Sequence, residues 1–339
     1  MARTLQCDAK MQVLPAKPGV AGPGRRIVYL DQMVVSDMAK VRLGRRMDVA
    51  RASALKELSD ALHVAVGEKE TARCVESFFH RGESSALVEG PNPREGARDL
   101  FDAIGEDMTI LTWRLHLVTA EIAATTQTFV PVAASQGLPS FPLWKGGFLD
   151  DPQTSNAEKG VKWEGTLFAM GVRWEPRTIG SSGAGWAARC EALRAGGRYA
   201  TREAALAEIG EELRDWAIAC NTSKPWMYSW GATLDGGVDQ KRIDAFIRSE
   251  AFLELPYPSI IRRLYARVLS DKSRRLKDSD YTDMVILALA IPYCDLVIAD
   301  SFMANVAKEL KLGTEFSVTI LPGGNDGLRE AAGWLAGLS

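Results

Sequence analysis

Two apolar runs late in the chain are each joined to an acidic residue. Residues 284–291 are almost continuously apolar and follow Asp283, whereas the shorter run 296–299 ends on Asp300. The first run is long enough for a buried helix, and the second suits a fully buried parallel strand. The pattern therefore predicts that Asp283 lies in the first turn of a helix and that Asp300 lies at the carboxyl end of a strand.

The same pattern occurs near the amino terminus. Residues 27–30 form a short apolar, β-branched run that ends on Asp31, and the apolar positions after it have nearly helical spacing. In open α/β sheets, ligands bind outside the carboxyl ends of the strands. Carboxylates that meet there repel each other unless a positive charge lies between them, so the simplest candidate ligand is a divalent cation.

Further elements follow from apolar spacing and from turn residues. Asp48 is a candidate cap for a helix over 50–65, and a short strand over 71–75 precedes another helix. The later predictions are helices over 110–122, 204–220, 239–252, 259–270 and 327–338, and a strand over 316–321.

Composition limits the class of protein. Of the 339 residues, 46% are hydrophobic and 25% are charged, as in soluble globular proteins. The net charge of −2 gives no overall attraction to nucleic acid, so any binding to nucleic acid would need a local basic patch. Five scattered cysteines without a CxxC motif argue against a disulfide framework and a zinc module. With no secretory signal and no long apolar span, the sequence predicts a cytoplasmic protein without a membrane partner.

The acids and their contexts resemble those of PIN-like nucleases. That family has an Asp after the first strand, a Glu in a following helix, an Asp opening a later helix and an Asp after the next strand. The matching residues are Asp31 in VYLDQMVVSDMA, Glu83 in CVESFFHRGES, Asp283 in YTDMVILALA and Asp300 in LVIADSFMA. Ser77, His80 and Glu83 also resemble a pattern of larger bacterial PIN-like proteins.

The resemblance implies a three-layer α/β PIN-like fold with a central, mostly parallel sheet that is interrupted by a largely helical insertion. On this interpretation residues 1–25 are a flexible tail, 26–90 and 256–339 form a discontinuous nuclease domain, and 91–255 form the insertion. One departure from the family is Met33, which stands where a small polar residue is common.

The implied function is that of a metal-dependent endoribonuclease that hydrolyses RNA phosphodiesters. The four matching acids, Asp31, Glu83, Asp283 and Asp300, would be both metal ligands and catalytic residues, with Mg²⁺ or Mn²⁺ as cofactor. These ions prefer carboxylate oxygens and water, orient the nucleophile and neutralise charge on phosphate. The other interpretation of the acids is that some are helix caps or ion-pair partners.

Two neighbouring residues are secondary candidates. Asp280 lies three residues before Asp283 and is a candidate outer ligand. His80 lies three residues before Glu83, hence on the same helical face, and could contact phosphate, orient Glu83 or simply hydrogen-bond within its helix. Asp295 stands at the start of its strand, the opposite end from Asp300, and is therefore predicted to be structural.

Seven basic residues lie between 262 and 277, immediately before the Asp283 motif. Such a patch can bind phosphates without sequence preference, and Arg263, Arg267, Arg274 and Arg275 are the predicted RNA-binding residues. The other interpretation is a solvated helix face. The expected partner is single-stranded or looped RNA, because a recessed acidic site needs a strand that can bend toward the ions. Further partners considered are an inhibitor protein and a second copy of the chain.

Two other functions fit part of the sequence pattern. A PIN-like fold that has lost catalysis could serve as a nucleic-acid-binding or protein-interaction scaffold, although the presence of all four acids argues against it. An aspartate-based phosphatase also begins with an acid after the first strand. That chemistry usually needs a second acid two positions later, where this chain has Met33.

Overall fold

The computed structural model describes residues 26–42, 44–76, 108–110, 185–223, 244–245, 247–254, 256–292 and 294–338. The predicted tail, His80, Glu83 and much of the predicted insertion lie outside these ranges. Within them, no helix is long and apolar enough to cross a membrane.

One parallel sheet organises the part of the chain that the structure describes. Its strands are β1 (Arg26–Leu30), β2 (Ala72–Glu76), β3 (Met108–Ile110), β4 (Leu296–Ala299) and β5 (Thr319–Pro322), in the spatial order β3-β2-β1-β4-β5. Every neighbouring pair is parallel. Val28 of the central strand pairs with Cys74 on one side and Leu296 on the other. All carboxyl ends therefore meet at one edge.

Helices flank the sheet. They are α1 (Gln32–Arg42), α2 (Val49–Leu62), α3 (Trp186–Ala195), α4 (Arg202–Ser223), α5 (Glu250–Leu253), α6 (Pro256–Ser270), α7 (Asp278–Ala290), α8 (Ser301–Glu309), α9 (Leu312–Glu315) and α10 (Asn325–Ala336). A π-helical turn over His63–Glu68 follows α2.

Alternate residues of the central strand enter two separate cores. Val28 and Leu30 pack into a core with α1, α2 and α10, whereas Ile27 and Tyr29 pack into one with α6, α7 and α8. This two-residue period follows from the strand geometry, in which successive side chains point to opposite faces. The result is a mixed α/β architecture with helices on both faces of a parallel sheet, as the apolar runs predicted.

The strand order reverses direction between β1 and β4. The chain leaves β1 into α1 on one face of the sheet and leaves β4 into α8 on the opposite face. In open α/β sheets, ligands bind at the carboxyl edge where the connections diverge in this way. Asp31 and Asp300 are the first residues after these two strands.

The helices before the second half of the sheet share its core. α4 packs on α6 and α3 packs on α7, with Trp186 and Ile209 fully buried between them. Residues 185–223 therefore belong to the same folded body as α6 and α7.

Several boundaries differ from the predictions, each for a local reason. The predicted 259–270 helix is present but begins earlier, at Pro256, because proline suits the first turn of a helix. Of the predicted 239–252 helix, residues 244–245, 247–248 and 250–252 are helical, and residues 239–243 and 246 lie outside the described ranges. β5 starts at Thr319 rather than at 316, since the short helix α9 precedes it. Ile110 ends β3 instead of beginning a helix. The predicted α2, with Asp48 as its cap, is confirmed: the Asp48 carboxylate accepts from the Arg51 N–H at 2.9 Å.

Candidate functional site

Two of the predicted acids meet at the carboxyl edge of the sheet. The backbone N–H of Asp31 donates to the carbonyl of Ile298 at 2.9 Å, which extends the ladder between β1 and β4 by one residue. The Asp31 carboxylate accepts from the Met33 N–H at 2.8 Å. Asp300 caps α8, because its Oδ1 accepts from the Phe302 N–H at 2.8 Å and from the Met303 N–H at 3.3 Å. The predicted positions of both acids at strand ends are confirmed.

Burial and the charge of Asp300 both act on the Asp31 carboxyl. Burial raises the pKa of the Asp31 carboxyl, and the negative charge of Asp300 raises it further. Hydrogen bonds from the backbone N–H groups of Met33 and Asp300 offset part of this increase in the pKa of Asp31. The edge thus holds two carboxylates whose charges oppose each other, which is the arrangement that a bound cation relieves.

One oxygen of Asp300 has no partner within the described ranges. Oδ1 carries both capping bonds, whereas Oδ2 is buried and accepts no hydrogen bond from any residue that the structure describes. Buried polar atoms are normally paired, so an orphaned acceptor calls for a water, an ion or another donor. A carboxylate oxygen beside a second carboxylate fits Mg²⁺ or Mn²⁺, which prefer oxygen ligands.

Asp283 lies one turn deeper in its helix than the sequence predicted. α7 begins at Asp278, so Asp283 is in the second turn, where it is half-buried. α7 packs on β4 and connects to it through a short turn, so its first half extends toward the carboxyl edge of the sheet. α7 shares its core, on one face of the sheet, with α8, the helix that Asp300 caps.

Asp280 has a structural role at the start of α7. Its Oδ1 lies 2.5 Å from Arg274 Nη2, and its Oδ2 accepts from the Lys277 N–H at 2.9 Å. The residue is 2% exposed. The bond from Lys277 caps the helix, and the bond with Arg274 is an ion pair. Asp280 could act as an outer metal ligand only if it gave up one of these two bonds for a metal-bound water.

The complete predicted ligand set is not visible in the described part of the chain. Glu83 and His80 lie outside it. Among the residues that the structure does describe, no group of three or more His, Cys, Asp or Glu side chains is arranged to hold a metal ion. The geometry therefore brings together Asp31 and Asp300, and the participation of Asp283 and Glu83 stays a prediction.

Most of the predicted RNA-binding arginines form ion pairs within the fold. Arg263 donates to Glu315 at 2.8 Å, and Arg267 donates to Glu309 at 2.8 Å. These bonds join α6 to α8 and α9. Arg274 pairs with Asp280 as described above. These pairs between helices could not be foreseen from sequence, because Glu315 and Glu309 are 52 and 42 residues away from Arg263 and Arg267.

The exposed positive charges lie elsewhere in the same basic segment. Arg275 is exposed, and so are Lys272 and Lys277. These three residues are in or next to the loop between α6 and α7, which leads into the helix of Asp283. They are the better-placed candidates for contacts with phosphates.

Sequence reasoning missed one residue that supports the edge. Arg51 donates to the carbonyl of Gly323 and pairs with Asp37 at 3.0 Å. The N–H of Gly323 donates in turn to the carbonyl of Ala299, the residue before Asp300, at 2.6 Å. A Cβ at position 323 would lie 3.2 Å from both that carbonyl and Met33 Cε, so the turn packs tightly. The available signal was the pair of glycines after β5.

No protein-family model, curated protein or solved structure matches the chain. Function is therefore inferred from the carboxyl edge and from the motifs around its acids.

Proposed function

We propose that this protein is a metal-dependent endoribonuclease with a PIN-like domain. The observation that carries the proposal is the position of Asp31 and Asp300 directly after β1 and β4, the neighbouring parallel strands whose following helices cover opposite faces. Ligand sites of open α/β sheets form at this point. The motifs around Asp283 and Glu83 support the proposal through their resemblance to PIN-like nucleases.

The chemistry of the edge suits an anionic substrate only if a cation is bound. Two carboxylates repel a phosphodiester, and the raised pKa of Asp31 reflects the burial of its charge beside another acid. Bound Mg²⁺ or Mn²⁺ would neutralise that repulsion, polarise the phosphoryl group and lower the pKa of an attacking water. Asp31 and Asp300 would hold the ion, with Asp283 and Glu83 as the remaining ligands.

The residues of this chain have distinct roles in the proposal. Backbone N–H groups of Met33 and Asp300 orient the Asp31 carboxylate. Capping bonds occupy Oδ1 of Asp300 and leave Oδ2 for a ligand. Exposed Lys272, Arg275 and Lys277 would draw the RNA backbone toward the edge.

The test is cleavage of an end-labelled single-stranded RNA by the pure protein, with Mn²⁺ and with a chelator. We expect Mn²⁺-dependent cleavage that Asp31→Asn and Asp300→Asn abolish. Asp326→Asn is a matched control, because Asp326 is in the first turn of α10 after the neighbouring strand β5 and its side chain is fully exposed. That variant should cleave like the wild type.

The other outcomes identify the competing functions. Binding of the same RNA without cleavage, unchanged in the Asp31 and Asp300 variants, would indicate a scaffold that uses the fold for binding only. Hydrolysis of a phosphomonoester without cleavage of RNA would indicate a phosphatase. Either result would overturn the nuclease proposal.

A further inference from the structure

Arg274 connects the helix of Asp283 with the helix that Asp300 caps. Its Nη2 lies 2.5 Å from Asp280 Oδ1 at the start of α7, and its Cζ lies 3.5 Å from the ring centroid of Phe302 in the first turn of α8. The Phe302 N–H is one of the two donors to Asp300 Oδ1. One guanidinium therefore contacts both helix starts.

We propose that Arg274 is a positioning residue that fixes the Asp300 carboxylate relative to Asp283. This inference rests on the proposed function, since it concerns the same metal site. A planar guanidinium can pair with a carboxylate in its plane and stack on a ring with its face at the same time. A shift of Phe302 would move a donor of the cap and with it the carboxylate of Asp300.

The backbone around Arg274 is itself held in place by α3. The Arg194 guanidinium donates to the carbonyls of Leu269 at 2.8 Å and of Arg274 at 3.0 Å. The Glu191 carboxylate accepts from the Leu276 N–H at 3.0 Å. Arg194 has a side chain only 7% exposed, so these bonds are shielded from water. The loop between α6 and α7 is thereby fixed at several points, as a positioning role for Arg274 requires.

The alternative role for Arg274 is direct contact with a phosphate of the substrate. The geometry favours positioning, because Nη2 is paired with Asp280, the ring of Phe302 covers a face of the guanidinium, and the side chain is only 20% exposed. Arg275, the next residue, is exposed and carries the same charge. It is therefore a matched control for the loss of one positive charge in this loop.

The first measurement is the affinity for Mn²⁺ together with the steady-state kinetics of RNA cleavage. Arg274→Met keeps a long side chain but removes the positive charge and the planar guanidinium group. We expect Mn²⁺ affinity to fall about tenfold, the typical effect of losing a group that orients a metal ligand. kcat should fall with little change in KM. Arg275→Met should leave Mn²⁺ affinity unchanged and raise KM.

The second measurement needs no metal. Hydrogen exchange of the Phe302 and Met303 amides reports directly on the cap of Asp300. We expect faster exchange of both amides in Arg274→Met and wild-type exchange in Arg275→Met. Phe302→Leu removes the aromatic partner and should act in the same direction as Arg274→Met, which provides a second variant if the first fails to fold.

The two measurements separate failure of this inference from failure of the proposed function. If the wild type neither binds Mn²⁺ nor cleaves RNA, the proposed metal site is wrong, and positioning of a metal ligand fails with it. If the wild type does both, but Arg274→Met and Phe302→Leu change neither Mn²⁺ affinity nor amide exchange, only the positioning role is wrong. A rise in KM alone would make Arg274 a substrate contact and would likewise overturn the inference.

Discussion

Asp300→Asn and Asp300→Ala are expected to have different effects on stability and the same effect on metal binding. Asn keeps an oxygen that can accept from the Phe302 and Met303 N–H groups, so the cap of α8 survives. Ala loses both bonds. Each substitution removes the negative charge beside Asp31 and the carboxylate oxygen that is otherwise orphaned.

The magnitudes follow from the cap and from the charge. Loss of an N-cap costs about 1 kcal/mol of folding free energy, so Asp300→Ala should be less stable than wild type by nearly that amount. Asp300→Asn should be as stable as the wild type or slightly more stable, because the charge that raises the pKa of Asp31 is removed. The two variants should therefore differ by about 1 kcal/mol.

Urea unfolding at neutral pH, with a chelator and with Mn²⁺, measures both effects. A ligand that binds only the native state at a hundredfold excess over its Kd adds about 2.7 kcal/mol to the free energy of unfolding. Wild type should show this gain, and neither variant should. The reasoning would be refuted if Asn destabilised as much as Ala, or if Mn²⁺ still stabilised both variants.

Three more variants test separate parts of the structure. Because burial and a neighbouring charge raise the pKa of Asp31, the native state holds its proton more tightly than the unfolded chain, and metal-free stability should fall as pH rises from about 4 through the folded pKa. Asp31→Asn should remove that part of the decline in urea unfolding. Asp295→Ala leaves a buried backbone N–H of β1 without its acceptor and should cost about 2 kcal/mol, with Mn²⁺ affinity unchanged. Replacing Lys272, Arg275 and Lys277 with Gln should reduce the slope of log affinity for single-stranded RNA against log salt by about 2; an unchanged slope would place the RNA path elsewhere.

The strand ends were predictable because buried parallel strands leave a clear mark in sequence. Such strands are apolar on both faces, so β1 and β4 are short continuous apolar runs, and the first polar residue after each marks the carboxyl edge. Asp31 and Asp300 could be found in this way. The position of Asp295 at the other end of β4 also predicted a structural role. In the structure its carboxylate accepts a hydrogen bond from the Ile27 N–H at 2.9 Å.

Features set by distant contacts were not predictable. The first turn of α7 is polar and has no apolar periodicity. The predicted helix therefore began too late, with Asp283 in its first turn, whereas α7 begins at Asp278. The arginines of α6 suggested a surface for RNA, since their partners on α8 and α9 become neighbours only in the folded chain. The two glycines after β5 mark a turn in the sequence, but they do not indicate that its partner is Arg51, 272 residues away.

The most direct test of the proposed site is a crystal structure of the protein soaked in Mn²⁺, with the ion located by its anomalous scattering. We expect density at the carboxyl edge between β1 and β4, bound by carboxylate oxygens of Asp31 and Asp300, with Asp283 and Glu83 completing the protein ligands. Mn²⁺ bound only at other positions, or an edge that stays free of the ion at saturating concentration, would contradict the proposed metal site and the nuclease function inferred from it.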